Sequence, residues 1–73
     1  MKPYEALKLF LFKKGVKQGA VAKAIGLSNA QFSSIANGHT RLTVEVLLDI
    51  CNFTNTSPAD FFTMTFQDNW KKE

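Results

Sequence analysis

The chain has 73 residues, a formal net charge of +3 at pH 7 and one cysteine, Cys51. A chain of this length forms one small domain that buries only about 60% of the surface exposed by its unfolded state, which argues against a large internal active-site cleft. The single cysteine excludes an intramolecular disulfide and a cysteine-cluster zinc site, and its apolar surroundings predict a buried thiol. Because the sequence has no apolar run of transmembrane length and no secretory signal, we expect a cytoplasmic protein.

The charges are distributed unevenly along the chain. Residues 1–41 contain seven Lys or Arg residues and one acid, Glu5, whereas residues 42–73 contain two Lys or Arg residues and five acids. A basic first half favours a polyanionic partner for that half.

The first predicted helix runs from about Pro3 to Lys14. Proline fits the first turn of a helix, where its missing N–H group costs nothing, and Gly15 is typical of the position after a helix end. Apolar residues at helical spacing predict the face that packs on the core. These residues are Tyr4, Leu7, Phe10 and Leu11.

Residues 18–35 contain the pattern around which the chain is organised, two short helices joined by a tight turn. Helix 2 is expected over about residues 17–25, and its inward residues are Val21, Ala22 and Ile25. Gly26 suits a turn that needs a positive φ, and Leu27 fills the corner between the helices. Because Ala22 is small, the two helices can approach closely, and the pattern predicts a helix-turn-helix.

Helix 3 has a start signal of its own. Ser28 is a preferred N-cap, and Gln31 three residues later gives the spacing of a capping box. The helix is expected over about residues 29–37, and Asn37-Gly38 closes it because both residues tolerate left-handed conformations. Its inward residues are Phe32, Ile35 and Ala36.

The start of helix 2 leaves two interpretations open. Lys17 is a poor N-cap whose charge opposes the helix dipole, and glycine at position 19 costs roughly 1 kcal/mol in a helix interior and less near an end. Either the fold tolerates a marginal helix start, or Lys17 and the free N–H groups of the first turn face a phosphate.

Two further helices complete the predicted all-α domain. Thr43 is the expected cap of helix 4. The predicted buried side of this helix comprises Val44, Leu47, Leu48, Ile50 and Cys51. Helix 5 is expected to start with Ser57 as N-cap, Pro58 at the first position and Asp60 in the first turn. The residues predicted to complete the core are Phe61, Phe62 and Met64.

Residues 65–73 are predicted to form a C-terminal tail after a domain that comprises residues 1–64. Aromatic residues in a tail, here Phe66 and Trp70, pack either on their own domain or at a dimer interface. Leu9 and Phe12 lie off the inward stripe of helix 1. They are either covered by the tail or part of a contact patch with its aromatic residues.

With Gln18 as the first position of the motif, the small residue Ala22, the turn residue Gly26 and the apolar positions resemble the phage repressor and Cro-like helix-turn-helix family, also described as the xenobiotic-response-element type. The resemblance extends over five helices, about residues 4–63. It implies a compact five-helix lambda-repressor-like domain in a small transcriptional regulator, with a repressor as the expected type. It also implies sequence-specific binding to double-stranded DNA, commonly by a homodimer on paired half-sites.

The same resemblance implies which residues touch DNA. Family members place the second helix of the motif, here about residues 29–37, in the major groove. By position, the base contacts fall on Asn29, Ala30, Ser33 and Ser34. The phosphate contacts fall on Lys17, Gln18, Asn37, His39, Thr40 and Arg41. Asparagine pairs with adenine, alanine contacts the thymine methyl group, serine bonds several bases, and Lys and Arg neutralise phosphate.

The sequence departs from the family pattern at several positions, among them helix 3, Leu11 and Ala36, Lys17, and Thr54-Asn55-Thr56. Helix 3 has no outward Arg or Lys, so the commonest guanine contact is absent and readout relies more on DNA shape. Family members often carry an arginine in helix 1 and an acid late in helix 3, where this chain has Leu11 and Ala36. Because replacing both members of a buried ion pair can be neutral or stabilising, the paired change supports a folded domain.

Besides DNA binding, the sequence bears on two other classes of function, an enzyme and a protein-interaction module. An enzyme is not expected, because the sequence has no Ser/His/Asp set, no cluster of metal ligands and no glycine-rich phosphate loop. No catalytic residue, metal, cofactor, small-molecule ligand or membrane partner is expected. The alternative is a protein-interaction module on the same fold, such as an antirepressor or an antitoxin-like partner, supported by the uncharged face of helix 3 and by the aromatic residues outside the core.

Overall fold

The computed structural model of the chain describes residues 1–67, and within them all regular structure is helical, as predicted. The helices in chain order are α1 (Pro3–Lys14), α2 (Gln18–Ala24), α3 (Asn29–Ala36), α4 (Val44–Phe53) and α5 (Pro58–Phe62), followed by a π-helical segment (Thr63–Gln67). No helix in this part of the chain is long and apolar enough to cross a membrane. Trp70 lies outside the described residues, so its role stays a prediction.

Side-chain caps begin the later helices as the sequence predicts. The Thr43 hydroxyl accepts the N–H of Val46 at 3.2 Å at the start of α4. The Ser57 hydroxyl accepts the N–H of Asp60 at 3.1 Å at the start of α5. Each of these bonds satisfies a backbone donor that the helix itself leaves without a partner, which stabilises a helix start by about 1 kcal/mol.

One hydrophobic cluster holds the helices together. Its buried members are Ala6, Leu7, Phe10, Leu11, Val21, Ala22, Phe32, Ile35, Ala36, Ile50, Cys51 and Phe61. The inward faces predicted for α1, α2 and α3 are confirmed, although Tyr4 and Ile25 are only half-buried. Leu11 and Ala36 are both buried, which fits the replacement of an ion pair by apolar packing between α1 and α3.

The predicted core was wrong at three positions after α3. Val44 is 72% exposed, Leu48 is 43% exposed and Phe62 is 51% exposed. Neighbouring residues in a helix point about 100° apart, so both members of an adjacent apolar pair are buried only where the core is wide enough to cover both directions. In α5 the buried member is Phe61, whose ring centroid lies 4.9 Å from that of Phe10.

The bounds of the two central helices differ slightly from the prediction. Lys17 is the N-cap of α2 and not its first helical residue, and the helix ends at Ala24. Asn37 likewise follows α3, which ends at Ala36.

Side-chain donors stabilise the π-helical segment at the carboxyl end. The Thr65 side chain is fully buried, and its hydroxyl donates to the Phe61 carbonyl at 2.7 Å. The Thr63 hydroxyl donates to the Ala59 carbonyl at 3.0 Å, and Lys13 Nζ donates to the Met64 carbonyl at 2.7 Å. A π-helical turn is wider than an α-helical one and disturbs the regular backbone hydrogen bonds. The three side-chain donors supply partners for carbonyl groups in this segment and just before it. Residues 65–67 of the predicted tail thus lie in this segment.

Gly38, which follows α3, packs against the start of α1. Its φ is +83°, in the region that favours glycine. A Cβ atom built on Gly38 would lie 2.8 to 3.0 Å from three atoms of the Tyr4 ring. The ring of Tyr4 therefore occupies space that any other residue at position 38 would need.

We predict that Gly38→Ala destabilises the domain by about 2–3 kcal/mol, because a left-handed alanine costs about 1–2 kcal/mol and the Tyr4 ring must also move. Gly15→Ala is the matched control, since Gly15 has a φ of +70° but nothing within 4 Å of a built Cβ. Its expected cost is about 1 kcal/mol, from the backbone alone. Urea unfolding measures both, and equal losses for the two variants would contradict the steric part of the prediction.

Candidate nucleic-acid interface

The turn between α2 and α3 sets the geometry of the site. Ala22 is 1% exposed, and its carbonyl accepts the N–H of Leu27 at 2.9 Å. Gly26 has a φ of +81°, as the sequence predicts. Because the backbone bond closes the turn and the small Ala22 side chain is buried, the two helices are held at close approach.

A capping box begins α3. The Ser28 hydroxyl accepts the N–H of Gln31 at 3.1 Å, and Oε1 of Gln31 accepts the N–H of Ser28 at 2.8 Å. The predicted capping box is confirmed. One end of the Gln31 amide is therefore used inside the protein, and the first turn of α3 is held in place from both sides.

The first turn of α3 carries the most accessible of the predicted base-contact residues. Asn29 and Ala30 are both exposed. A Cβ built on Gly19 would lie 3.5 Å from Oδ1 of Asn29, so the Asn29 side chain lies against the first turn of α2. The structure thus brings Asn29 close to Gln18, the first residue of α2 and one of the predicted phosphate contacts.

The other two predicted base-contact residues have hydrogen-bond partners inside the protein. Ser33 and Ser34 are half-buried. Nδ2 of Asn37 donates to the Ser33 hydroxyl at 3.1 Å, and the hydroxyls of Ser34 and Thr40 lie 2.7 Å apart. A hydroxyl that already has a partner gains less from a new one, so these two residues offer less than Asn29 and Ala30.

The loop after α3 is tied back to that helix. The Ser34 carbonyl accepts the N–H of His39 at 2.9 Å and the N–H of Thr40 at 3.2 Å. His39, Thr40 and Arg41 are all exposed, as is Asn37 at the helix end. Because these bonds hold the backbone of residues 39 and 40, the chain reaches Arg41 from a position that α3 sets.

The start of α2 supplies the remaining predicted phosphate contacts. Lys17 is the N-cap, its side chain makes no capping bond, and both it and Gln18 are exposed. The first turn contains no acid that would satisfy the helix N–H groups or oppose an anion. The predicted phosphate contacts therefore fall at two places, one at each end of the helix-turn-helix.

Two residues that the sequence analysis did not select also reach this surface. Lys2 and Tyr4, at the start of α1, line a groove of about 320 Å³ together with Thr40 and Arg41. Gly38 and Tyr4 lie 34 positions apart, so no local pattern in the sequence indicates that they are in contact. The position of Lys2 and Tyr4 beside the loop therefore follows only from the tertiary structure.

The potential metal ligands among the described residues include a single cysteine, which is buried. Burial raises the pKa of the Cys51 thiol, which agrees with the predicted buried thiol. Among residues 1–67, no three His, Cys, Asp or Glu side chains lie together as metal ligands would.

Comparisons with known proteins agree with this geometry. A family model described as the Cro/C1-type helix-turn-helix (HTH) DNA-binding domain matches residues 6–67. Among solved structures, the crystal structure of the clp gene regulator ClgR from C. glutamicum is similar, with a TM-score of 0.69 and 28% sequence identity. That match covers 84% of this chain and 78% of the other. No curated protein matches the chain. The predicted family resemblance and the five-helix fold are confirmed.

The capping box gives a prediction about the stability of α3. Ser28→Ala should lower the free energy of unfolding by about 1 kcal/mol, the usual cost of losing a serine N-cap. Ser57→Ala is the matched control, because that cap bond has the same length of 3.1 Å. Urea unfolding should give similar losses, but hydrogen exchange should speed up at the start of α3 only for Ser28→Ala. Unchanged exchange at the Gln31 amide would contradict the role given to the box.

Proposed function

Because the chain belongs to the Cro/C1-type helix-turn-helix family of DNA-binding domains, we propose that it is a small transcriptional regulator that binds double-stranded DNA sequence-specifically. In this proposal α3 enters the major groove. The regulator acts as a repressor, since blocking a promoter requires only that the protein occupy the DNA. Members of this family act by binding DNA and not by catalysis.

The observation that best supports the proposal is that the exposed start of α3 has exposed polar or cationic groups near it in two places. A Cβ built on Gly19, which follows Lys17 and Gln18, would lie 3.5 Å from Asn29, and Thr40, which precedes Arg41, lines one depression with Ala30. Duplex DNA presents base edges in a groove between two phosphate strands. The arrangement of polar and cationic groups therefore corresponds to that of the ligand.

The distribution of charge supports the same orientation. Residues 42–67 contain three acids and no Lys or Arg. The acids are Glu45, Asp49 and Asp60, and all are exposed on α4 and α5. DNA repels these helices and attracts the first half of the chain, so electrostatic steering would turn the HTH toward the duplex.

Base recognition in this proposal depends mainly on the first turn of α3. Asn29 would pair with adenine through its amide, and Ala30 would contact a thymine methyl group. Ser33 and Ser34 would add weaker contacts, because their hydroxyls have partners within the protein. The remaining discrimination would come from the shape of the DNA.

Phosphate binding would supply most of the affinity. Its proposed residues are Lys17, Gln18, Asn37, His39, Thr40 and Arg41. Lys17 and Arg41 carry the charge, and the others donate hydrogen bonds that fix the register of the protein on the duplex.

We predict that the affinity for a duplex selected from a random pool falls steeply between about 50 and 200 mM KCl, because bound cations release counterions from the DNA. The variant Lys17→Ala/Arg41→Ala should bind at least tenfold more weakly and reduce the slope of log K against log salt by about 2. Lys14→Ala, which removes an exposed lysine that is not among the proposed contacts, is the control and should keep the wild-type slope. Fluorescence anisotropy measures the affinity of the wild-type chain and of both variants at each salt concentration.

Two outcomes would count against the proposal. The absence of duplex binding by the wild-type chain even at low salt would exclude it. Equal slopes for the double variant and Lys14→Ala would exclude the assigned phosphate contacts, and together with retained biological activity they would favour the protein-interaction module instead.

We further propose that two copies bind a two-fold related pair of half-sites. A recognition face with two well-exposed residues reads few base pairs, and a second copy doubles the sequence that is read. The surface we assign to the contact is the α4–α5 groove, an apolar depression lined by Leu42, Val44, Leu47, Phe61, Phe62 and Phe66.

The exposed area predicts a weak dimer. Three apolar side chains here are between 43% and 72% exposed, namely Val44, Phe62 and the neighbouring Leu48. Half of the accessible surface of a phenylalanine side chain is about 100 Å². The three side chains thus offer roughly 300 Å² in total, below the 800 Å² or so per partner of a stable interface. A second copy would therefore dock mainly when both are held on DNA, where the effective concentration is high.

We predict that Val44→Ser/Phe62→Ser lowers cooperativity on a duplex with two half-sites by roughly tenfold but leaves the affinity for a single half-site unchanged. Phe12→Ser is the control, because Phe12 is 83% exposed and lies outside the groove. Electrophoretic mobility shifts on one-site and two-site duplexes distinguish the variants. A loss of cooperativity in Phe12→Ser alone would instead assign the contact to α1.

A further inference from the structure

A groove between the start of α1 and the loop after α3 brings together two cations and two hydroxyls. Its polar lining consists of Lys2, Tyr4, Thr40 and Arg41, and its volume is about 320 Å³. Apolar and backbone atoms of Pro3, Gly38 and Leu42 complete it. We name it the α1–loop groove.

The groove exists because Gly38 has no side chain. The ring of Tyr4 packs where a Cβ of residue 38 would be, with ring atoms 2.8 to 3.0 Å from that position. This contact fixes the first turn of α1 against the loop. The carboxylate of Glu5 accepts the backbone N–H of Lys2 at 2.8 Å, so the backbone from which the Lys2 side chain extends is also held.

The lining suits a phosphate group with one negative charge. Lys2 and Arg41 are both exposed and positively charged. The Thr40 hydroxyl lies 2.7 Å from the Ser34 hydroxyl, and either can donate. When Ser34 donates, the hydrogen of Thr40 is available to an anion, and the Tyr4 hydroxyl can act as a second donor. The acids nearest in sequence are Glu5, three residues from Lys2, and Glu45, four residues from Arg41, and neither lines the groove.

The groove is continuous with the proposed DNA surface. Thr40 lines the α1–loop groove and also a second depression beside α3, which it shares with Ala30 and Ser34. A nucleic-acid strand whose bases met the start of α3 would therefore run past Thr40 toward α1. Free phosphate has no such reason to be bound next to a recognition helix.

We propose that the α1–loop groove binds a backbone phosphodiester of the same duplex, with Lys2 neutralising its charge and Tyr4 donating a hydrogen bond. This inference rests on the proposed DNA-binding function and extends the interface from the HTH to the first helix. It gives α1 a direct part in binding, in addition to its part in the core.

The test compares the full chain with three single variants on the selected duplex, at several KCl concentrations. Lys2→Ala should weaken binding by roughly three- to tenfold for any sequence and reduce the salt slope by about 1, since one phosphate contact is lost. Tyr4→Phe keeps the ring on Gly38 and removes the hydroxyl, so it should weaken binding by about two- to fivefold without changing the slope. Lys8→Ala removes another exposed lysine of α1 and should change neither quantity.

Slopes and affinities for Lys2→Ala that match those of Lys8→Ala would overturn the inference. Because the wild-type chain would still bind DNA in that case, the proposed function would survive. A second arm titrates inorganic phosphate alone and follows the amide signals of Gly38 and Thr40 by NMR. Saturation at sub-millimolar phosphate, with no effect of Lys2→Ala on duplex binding, would assign the groove to the free anion and also overturn the inference.

Discussion

The close approach of α2 and α3 at Ala22 is the contact on which the interface depends. Ala22 is buried, and its carbonyl accepts the N–H of Leu27, so the same residue sets the helix distance and closes the turn. A larger side chain there would separate the helices and rotate α3 relative to Lys17. The loop would shift too, because its amides bond to the Ser34 carbonyl. One small side chain thus controls the spacing of groups at both ends of the motif.

The domain separates its packing contacts from its charges. The core lies between α1, α2, α3 and the carboxyl-terminal helices, and it includes the apolar residues Leu11 and Ala36. Within residues 1–67, every Lys and Arg lies in residues 1–41, and the exposed acids lie mainly on α4 and α5. Because α1 and α3 pack through apolar residues of this core, charges near the proposed DNA surface can change without removing that packing.

Local patterns in the sequence predicted most of the fold, and tertiary contacts explain what they missed. Caps and turn glycines act within a few residues, so the starts of α3, α4 and α5 were correctly predicted at Ser28, Thr43 and Ser57. Burial in α4 and α5 was predicted less well, because helical spacing does not say which of two adjacent apolar residues meets a partner helix. The outward position of Phe62 follows from the packing of Phe61 on Phe10, which joins distant parts of the chain. The contact between Tyr4 and Gly38 also joins distant parts of the chain, so local patterns do not indicate it.

The internal hydrogen bonds of α3 limit how this domain can recognise a sequence. Ser33 and Ser34 hold Asn37 and Thr40, so the outward hydroxyls of the helix position the loop that carries Arg41. Changing these serines to improve base contacts would remove the hydroxyl bonds to Asn37 and Thr40, although the backbone bonds to the Ser34 carbonyl would remain. The loop would loosen, and in the proposed complex the phosphate contacts would weaken. Substitutions in α3 that leave the loop in place are therefore confined mainly to Asn29 and Ala30, which precede the residues that position the loop. In the proposed function, specificity beyond those two positions would come from a second copy or from the shape of the DNA, since the same side chains cannot serve both purposes.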